Sequence, residues 1–307
     1  MVGKIIYYLI IYPFIYLLSL LPFWAIYGLS HFFKFLIFDV IGYRKKVVET
    51  NLRNAFPEKS EKEIKQIANK FYLYFCDLIL ETIKTLSISK KKVLQHVTFE
   101  NPEVVNKFYN KGQSVILVLG HYGNWELCGA ASNYFFDSQF YAIYKPLHNK
   151  EFDNLLIKMR SRSGVRLIKM KETYKKIFSM VEKEELFTVA FIADQTPSPD
   201  NAYWTTFLNQ DTPVFWGTEN VARKTNLPVV YATLKRPKWG YYSVELEVIH
   251  TCPKESIIGE ISEAHTRLLE RDIKEQPEIW LWTHKRWKHK KPANVLNKPV
   301  FKNKNHI

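Results

Sequence analysis

From Ile5 to Phe33 the sequence contains no Asp, Glu, Lys or Arg, and from His284 to Ile307 it contains no acid. Other things are scarce as well. Only 11 Gly and 14 Pro among 307 residues exclude collagen-like and Gly/Ser-rich chains. The three cysteines, Cys76, Cys128 and Cys252, lie far apart and cannot all pair. That excludes a disulfide scaffold and points to a reducing compartment. There is no H-E-x-x-H zinc signature, no G-x-x-x-x-G-K-[ST] phosphate loop and no G-x-S-x-G nucleophile elbow. The nine histidines and three cysteines show no paired ligand spacing, so neither a metal nor a cofactor is expected. No internal repeat and no flexible linker divides the chain.

What is present is grease, aromatic rings and positive charge. Hydrophobic residues make up 47% and aromatics 15%, which excludes a disordered chain. Lys and Arg outnumber Asp and Glu by 44 to 30, a formal net charge of +14. Such a balance implies an anionic partner: nucleic acid, an acidic protein or a membrane surface. The uncharged N-terminal run is longer than the roughly 20 apolar residues that span a bilayer core. It is too long for a signal-peptide core, and no small-x-small cleavage site follows. Pro13 and Pro22 interrupt it, which fits either a kinked helix or two short helices. A membrane anchor is expected over residues 1–42, the alternative being a buried helical hairpin. Only Lys4 precedes the run, whereas Arg44, Lys45 and Lys46 follow it. Positive residues favour the cytoplasmic side, so the body of the protein is expected there.

Further along, Ser60-Glu61-Lys62-Glu63 is a capping pattern that predicts a helix to about Leu86, with Ile64, Ile67, Phe71, Phe75 and Leu78 at helical spacing. Lys90-Lys91-Lys92 reads as a solvated loop or a lipid-facing edge. From residue 114 the pattern changes. Val115–Leu119 is an uninterrupted apolar run that suits a strand buried on both faces, and similar runs recur at 140–144, 186–192 and 228–234. Helix-like stretches lie between them at 124–136, 150–162, 171–183 and 215–226, and a last helix covers 256–275. Residues 241–249 suggest an added antiparallel strand. The alternation predicts an α/β fold, a mainly parallel sheet flanked by helices. The body, 43–292, then comprises a helical region, 43–100, and an α/β core, 101–292, with a basic tail at 293–307.

The strongest chemical cue follows the first long strand: Gly120-His121-Tyr122-Gly123-Asn124-Trp125-Glu126. Ligands of α/β proteins sit at the carboxyl ends of strands, and histidine suits acid–base work near neutral pH. On one regular helix His121 and Glu126 would lie about 140° apart. They meet only if His121 lies in the turn and the helix starts near Asn124, a good N-cap. Glu126 could then accept from one imidazole nitrogen and make the other a better base. An ordinary loop histidine and a helix-start Glu fit the same spacing. Cys128 reads as packing rather than a nucleophile.

The H-x-x-x-x-E arrangement resembles the motif of glycerolipid and lysophospholipid acyltransferases. In detail the chain is similar to the bacterial lipid A late acyltransferases over almost its whole length. The resemblance rests on Tyr43-Arg44, Asn51-Leu52-x-x-Ala55-Phe56-Pro57, the Gly-His turn, and Tyr144-Lys145-Pro146 with Asn149. It continues through Arg160-x-Arg162, Ala193-Asp194-Gln195, Pro213-x-x-x-Gly217-Thr218 and Trp280-Leu281-Trp282-x-His284-x-Arg286-Trp287-Lys288. The resemblance implies transfer of a fatty acyl chain from acyl carrier protein or coenzyme A to a hydroxyl of a lipid A precursor. It implies His121 as general base, with Glu126 orienting it. It also implies a site on the cytoplasmic face of the bacterial inner membrane. Asn124 is then an N-cap or a substrate contact. Arg160 and Arg162 are candidates for lipid phosphate, against the alternative of a solvated helix end. Tyr144 and Lys145 would line the same cleft; relatives often carry Arg where this chain has Lys145. Asp194 is either a polar site residue or a cap of the turn before Pro197.

The stretch from His284 carries eight Lys/Arg among interleaved tryptophans. Basic patches with stacking aromatics fit single-stranded nucleic acid. Beside a greasy anchor the same stretch fits an anionic membrane surface better, and acyl carrier protein, being acidic, could dock there; no nucleic acid is expected. Two alternatives to lipid A acylation remain: the same chemistry on a lysophospholipid, aminolipid or other glycolipid, or a non-enzymatic protein binding anionic lipid or nucleic acid.

Overall fold

The structure, a computed structural model, describes residues 2–292. The expected basic tail lies outside the described residues. The N-terminus is helical: α1 (Val2–Ile6), a π-helical stretch Tyr7–Ile11, α2 (Tyr12–Leu20), then α3 (Phe23–Lys34) running into a π-helical stretch Phe35–Val40. Pro22 explains the division. Pro13 lies inside the continuous helical run Lys4–Leu20, just after its π-helical stretch, whereas Pro22 caps α3 in an extended conformation, so the chain breaks there. The segment is therefore two helices rather than one kinked helix. Residues Phe23–Val40 form an 18-residue stretch of mean hydropathy 1.3, long and apolar enough to cross a membrane, and only 17% of it is buried.

The body follows with α4 (Lys45–Ala55), α5 (Glu61–Lys84) and α6 (Lys90–His96). Ser60 and Glu63 form the capping box that starts α5. The three lysines 90–92 are not in a loop. Ser89 accepts from the Lys92 N–H and caps them into the first turn of α6. Then come β1 (Val97–Phe99), α7 (Glu103–Tyr109), β2 (Val115–Leu119), α8 (Trp125–Ser132), β3 (Gln139–Tyr144), α9 (Lys150–Ser161), β4 (Arg166–Lys169), α10 (Thr173–Glu182) and β5 (Phe187–Ile192). A hairpin of β6 (Ala202–Phe207) and β7 (Gln210–Phe215) precedes α11 (Gly217–Thr225), β8 (Val229–Lys238), β9 (Tyr241–His250) and α12 (Glu260–Glu275).

Seven strands form one sheet in the order β1-β9-β8-β2-β5-β3-β4. From β8 to β4 every pairing is parallel; β9 runs antiparallel to β8, as the sequence predicts, and β1 is parallel to β9. All five residues of β2 are buried. Leu117 and Leu119 face the layer that holds α5 and α8, while Ile116 and Val118 face α10, α11 and α12. Each such side chain contributes roughly 1.5–3 kcal/mol of burial. This is why a run without alternation marks the central strand. The architecture is thus an α/β fold, a mainly parallel sheet between helical layers, with an apolar helix at its N-terminus.

The described part of the C-terminal aromatic and basic stretch is divided between interior and surface. Trp280 and Trp282 are core residues, and Arg286 is 2% exposed, donating to the Pro213 carbonyl at 2.7 Å. Of that stretch, Lys285, Lys288 and Lys290 do reach solvent.

Candidate active site

The turn between β2 and α8 is held from several sides. Gly123 has φ +59°, and a Cβ there would lie 2.9 Å from Leu234 Cβ, so both conformation and space demand glycine. Its N–H donates to the Ile279 carbonyl at 2.9 Å, and its carbonyl accepts from Tyr74 Oη at 2.6 Å. Tyr122 donates to the Asp272 carbonyl at 2.6 Å and bridges to Trp280, and the Leu281 N–H donates to the His121 carbonyl at 3.1 Å. Asn124 is fully buried and starts α8: its Oδ1 accepts from the Leu127 N–H at 2.9 Å. Its Nδ2 donates to Glu81 at 2.7 Å. Asn124 is thus an N-cap held from α5, the first of its two expected roles.

His121 lies at the carboxyl end of β2, as expected, but its partner is Asp194 at the end of the neighbouring strand β5. The imidazole Nδ1–H donates to Asp194 Oδ1 at 2.6 Å, and the His121 backbone N–H donates to Oδ2 at 2.8 Å. Trp280 Nε1 also donates to Oδ2, at 2.8 Å. Burial alone would push the Asp194 carboxyl up; the charge of His121 and these three hydrogen bonds outweigh it and hold the group at about 2. Asp194 is therefore ionised across the physiological range and fixes the tautomer with Nδ1 protonated. Nε2 is left as the lone pair, 3.2 Å from the Gln195 side-chain amide. The Trp125 ring meets the imidazole edge-on, with centroids 4.9 Å apart.

Glu126 does not do what its spacing suggests. Its carboxylate accepts from Arg160 Nη2 at 2.5 Å and Nε at 2.9 Å, and from Trp125 Nε1 at 3.3 Å. The orienting carboxylate is Asp194, and Glu126 belongs to a fork-to-fork pair with Arg160. The reason is placement: α8 starts at Trp125 and carries Glu126 away from the turn, toward α9. Arg160 is thereby drawn into the site region. Its expected companion Arg162 is exposed at the end of α9, with a 3.5 Å contact to the Ser87 carbonyl. Tyr144 is buried at the end of β3 in a groove with Ser161 and Arg166, and Lys145 beside it is exposed. Tyr144 lies within electrostatic range of Arg160.

Between the sheet and α8 lies an apolar channel. Leu117, Leu119, Ala190 and Ile192 form the sheet side, with Cys128 and Gly129 opposite. Trp125, Glu126 and Arg160 give it its polar lining, and Trp125 is the lining residue that meets the His121 ring. Burial pushes the Cys128 thiol up, which keeps it protonated and a poor nucleophile. Among the described residues no group of three or more His, Cys, Asp or Glu could hold a metal.

Gln195 and Trp280 were not among the site residues expected from the sequence, although both lie in stretches that the resemblance quotes. The signal for the Asp194 role was available in principle. It ends an apolar run that parallel pairing sets beside β2, and polar residues at the ends of adjacent parallel strands converge.

A family model described as bacterial lipid A biosynthesis acyltransferase matches residues 2–289 of the chain. Among curated proteins none matches it significantly.

Proposed function

Since the chain belongs to the bacterial lipid A biosynthesis acyltransferases, and is an acyltransferase enzyme acting in lipid A assembly, we propose that His121 is its general base and that the acyl donor is a thioester of acyl carrier protein or coenzyme A. The observation that carries this reading is the His121–Asp194 pair, whose imidazole packs against Trp125, a residue that also lines the apolar channel. In the proposed reaction, Nε2 takes the proton of the acceptor hydroxyl while its oxygen attacks the thioester carbonyl carbon. The tetrahedral intermediate collapses as the C–S bond breaks, and the imidazolium returns its proton to the departing thiolate. Asp194 stabilises the imidazolium throughout. Arg160, fixed by Glu126 in the polar lining of the channel, is the cation best positioned to meet developing oxyanion charge. The acyl chain occupies the apolar channel, whose lining matches hydrocarbon and little else.

Membrane association fits the same reading. Phe23–Val40 anchors the enzyme, with Trp24, Phe32 and Phe35 turned outward. Arg44, Lys45 and Lys46 meet anionic headgroups on the cytoplasmic side of the inner membrane. Residues 1–42 then act as anchor and 43–292 as the acyltransferase domain. Exposed Lys285, Lys288 and Lys290 offer an acidic acyl carrier a docking charge. The test is acyl transfer by purified full-length protein from acyl carrier protein to a lipid A precursor, read by mass spectrometry, for wild type and His121→Ala. Loss of transfer in the variant is expected. A His121→Ala protein with full activity overturns the mechanism, and acylation of a lysophospholipid instead overturns the acceptor.

A further inference from the structure

We propose that Tyr27, on the apolar helix α3, is a positioning residue for the catalytic turn, acting through the buried carboxylate of Glu81 and the cap Asn124. This rests on the acyl-transfer reading above and adds a route by which the seating of the N-terminal helix sets the active site.

The chain of contacts is continuous. Tyr27 Oη donates to Glu81 Oε1 at 2.9 Å. Glu81 is fully buried in α5, and its other oxygen, Oε2, accepts from Asn124 Nδ2 and from Tyr242 Oη, both at 2.7 Å. Asn124 Oδ1 in turn accepts from the Leu127 N–H and fixes where α8 begins. The first two residues of α8 are Trp125, which packs against the His121 ring, and Glu126, which holds Arg160. A shift of the cap therefore moves groups on both sides of the reacting centre without removing any of them.

The protein is moulded to accept this tyrosine. Gly240, in the β8–β9 turn with φ +76°, leaves a notch in which a Cβ would lie 1.9 Å from Tyr27 Oη. Trp239 packs on the Tyr27 ring at 5.0 Å, and its indole N–H donates to Asp77 one helical turn before Glu81, at 2.8 Å. Arg236 pairs with the same Asp77 at 2.6 Å. A buried carboxylate oxygen that loses its donor must turn to another or take up a proton. For Glu81 either response alters the acceptor on which Asn124 depends. The outward face of α3 is apolar, and Tyr27, with Ser30 beside it, is where that helix reaches the polar interior.

The experiment is a double-mutant cycle with full-length enzyme in lipid–detergent micelles: wild type, Tyr27→Phe, Glu81→Gln and the pair. Tyr27→Phe is expected to lower kcat about tenfold, the scale of a small misplacement, with KM for the acyl donor and sedimentation with membranes unchanged. The double variant is expected to be no worse than the weaker single one, because both break one chain. Should Tyr27→Phe fail to accumulate, Glu81→Gln carries the test through a kcat loss at unchanged Tm. An unchanged kcat in Tyr27→Phe, or losses that multiply in the pair, overturns the proposal. A wild-type protein without acyl transfer overturns the functional reading instead, so the two failures are distinguishable.

Discussion

Asp194 grips His121 twice, once by the ring at 2.6 Å and once by the backbone N–H at 2.8 Å. One carboxylate thereby fixes both where the residue sits and how its imidazole is turned. A histidine in a turn has freedom in χ1 and χ2, and the double contact removes most of it.

Asp194→Asn keeps the shape and loses the charge, and it permits the wrong tautomer. Activity is expected to fall by about 10³–10⁴, the scale seen when a triad carboxylate is amidated. Glu126→Gln leaves the His121 contacts intact and loosens Arg160, so its loss should be about 10²-fold or less, in line with removing one electrostatic contributor. Steady-state acyl transfer by both variants decides the assignment: a larger loss in Glu126→Gln than in Asp194→Asn would show that Glu126, not Asp194, orients the base.

Room in the channel should set the length of the transferred chain. A Cβ added at Gly129, which lines the channel, meets nothing within 4 Å, so a larger residue there has room to enter the channel. Excluding two methylenes costs about 1.6 kcal/mol at roughly 0.8 kcal/mol each, or about tenfold in kcat/KM for the native donor. Gly129→Leu should therefore shift product acyl chains toward shorter lengths in mass spectra; an unchanged length distribution places the acyl group elsewhere.

Stability should fall on mild acidification through a histidine that takes no part in the proposed chemistry. His265 is fully buried, and burial pulls it down from 6.5 to about 4, with Asp194 opposing and Arg286 reinforcing. Between those two values the unfolded chain binds a proton that the folded chain refuses, so stability declines as pH falls through that window. From pH 7 to pH 5 the loss is about 2 kcal/mol at 1.36 kcal/mol per pH unit. Denaturant melts at the two pH values measure it, and His265→Leu should flatten the slope by that amount whatever it does to absolute stability.

Gly123→Ala combines an unfavourable positive φ with a Cβ only 2.9 Å from Leu234 Cβ. The backbone penalty alone is about 1–2 kcal/mol. Calorimetry should show a lower Tm, and activity should fall further than stability does, because the displaced turn carries His121. Wild-type kcat in this variant would mean that the turn tolerates movement.

The long apolar runs announced β2, β3, β5 and β8, because strands buried on both faces need no alternation. The α5 capping box was equally plain. Other elements carried no such mark. β4 is a short edge strand whose sequence Arg-Leu-Ile-Lys begins and ends in charge. The β6–β7 hairpin turns at Leu208 and Asn209, with φ of +48° and +62°, and lacks the Asn-Gly or Asp-Gly signal of such turns. In the site, spacing drew His121 and Glu126 together, but a pair five apart was less telling than one 73 apart. The adjacency of β2 and β5 creates the His121–Asp194 contact, and adjacency belongs to topology rather than to local pattern. In the C-terminal stretch, Trp280, Trp282 and Arg286 face inward, where the segment pairs with Tyr122, while Lys285, Lys288 and Lys290 remain exposed, a division that composition does not reveal.

The central strand β2 finds its two neighbours only in β5 and β8, both much later in the chain. During translation the apolar N-terminal helices are therefore complete and in search of an environment long before the sheet can close, since non-local parallel pairings form late. The notch at Gly240 that receives Tyr27 is made later still, by the β8–β9 turn. Because the notch is made by the last two strands of the sheet, the contact that seats Tyr27 can close only after they have formed.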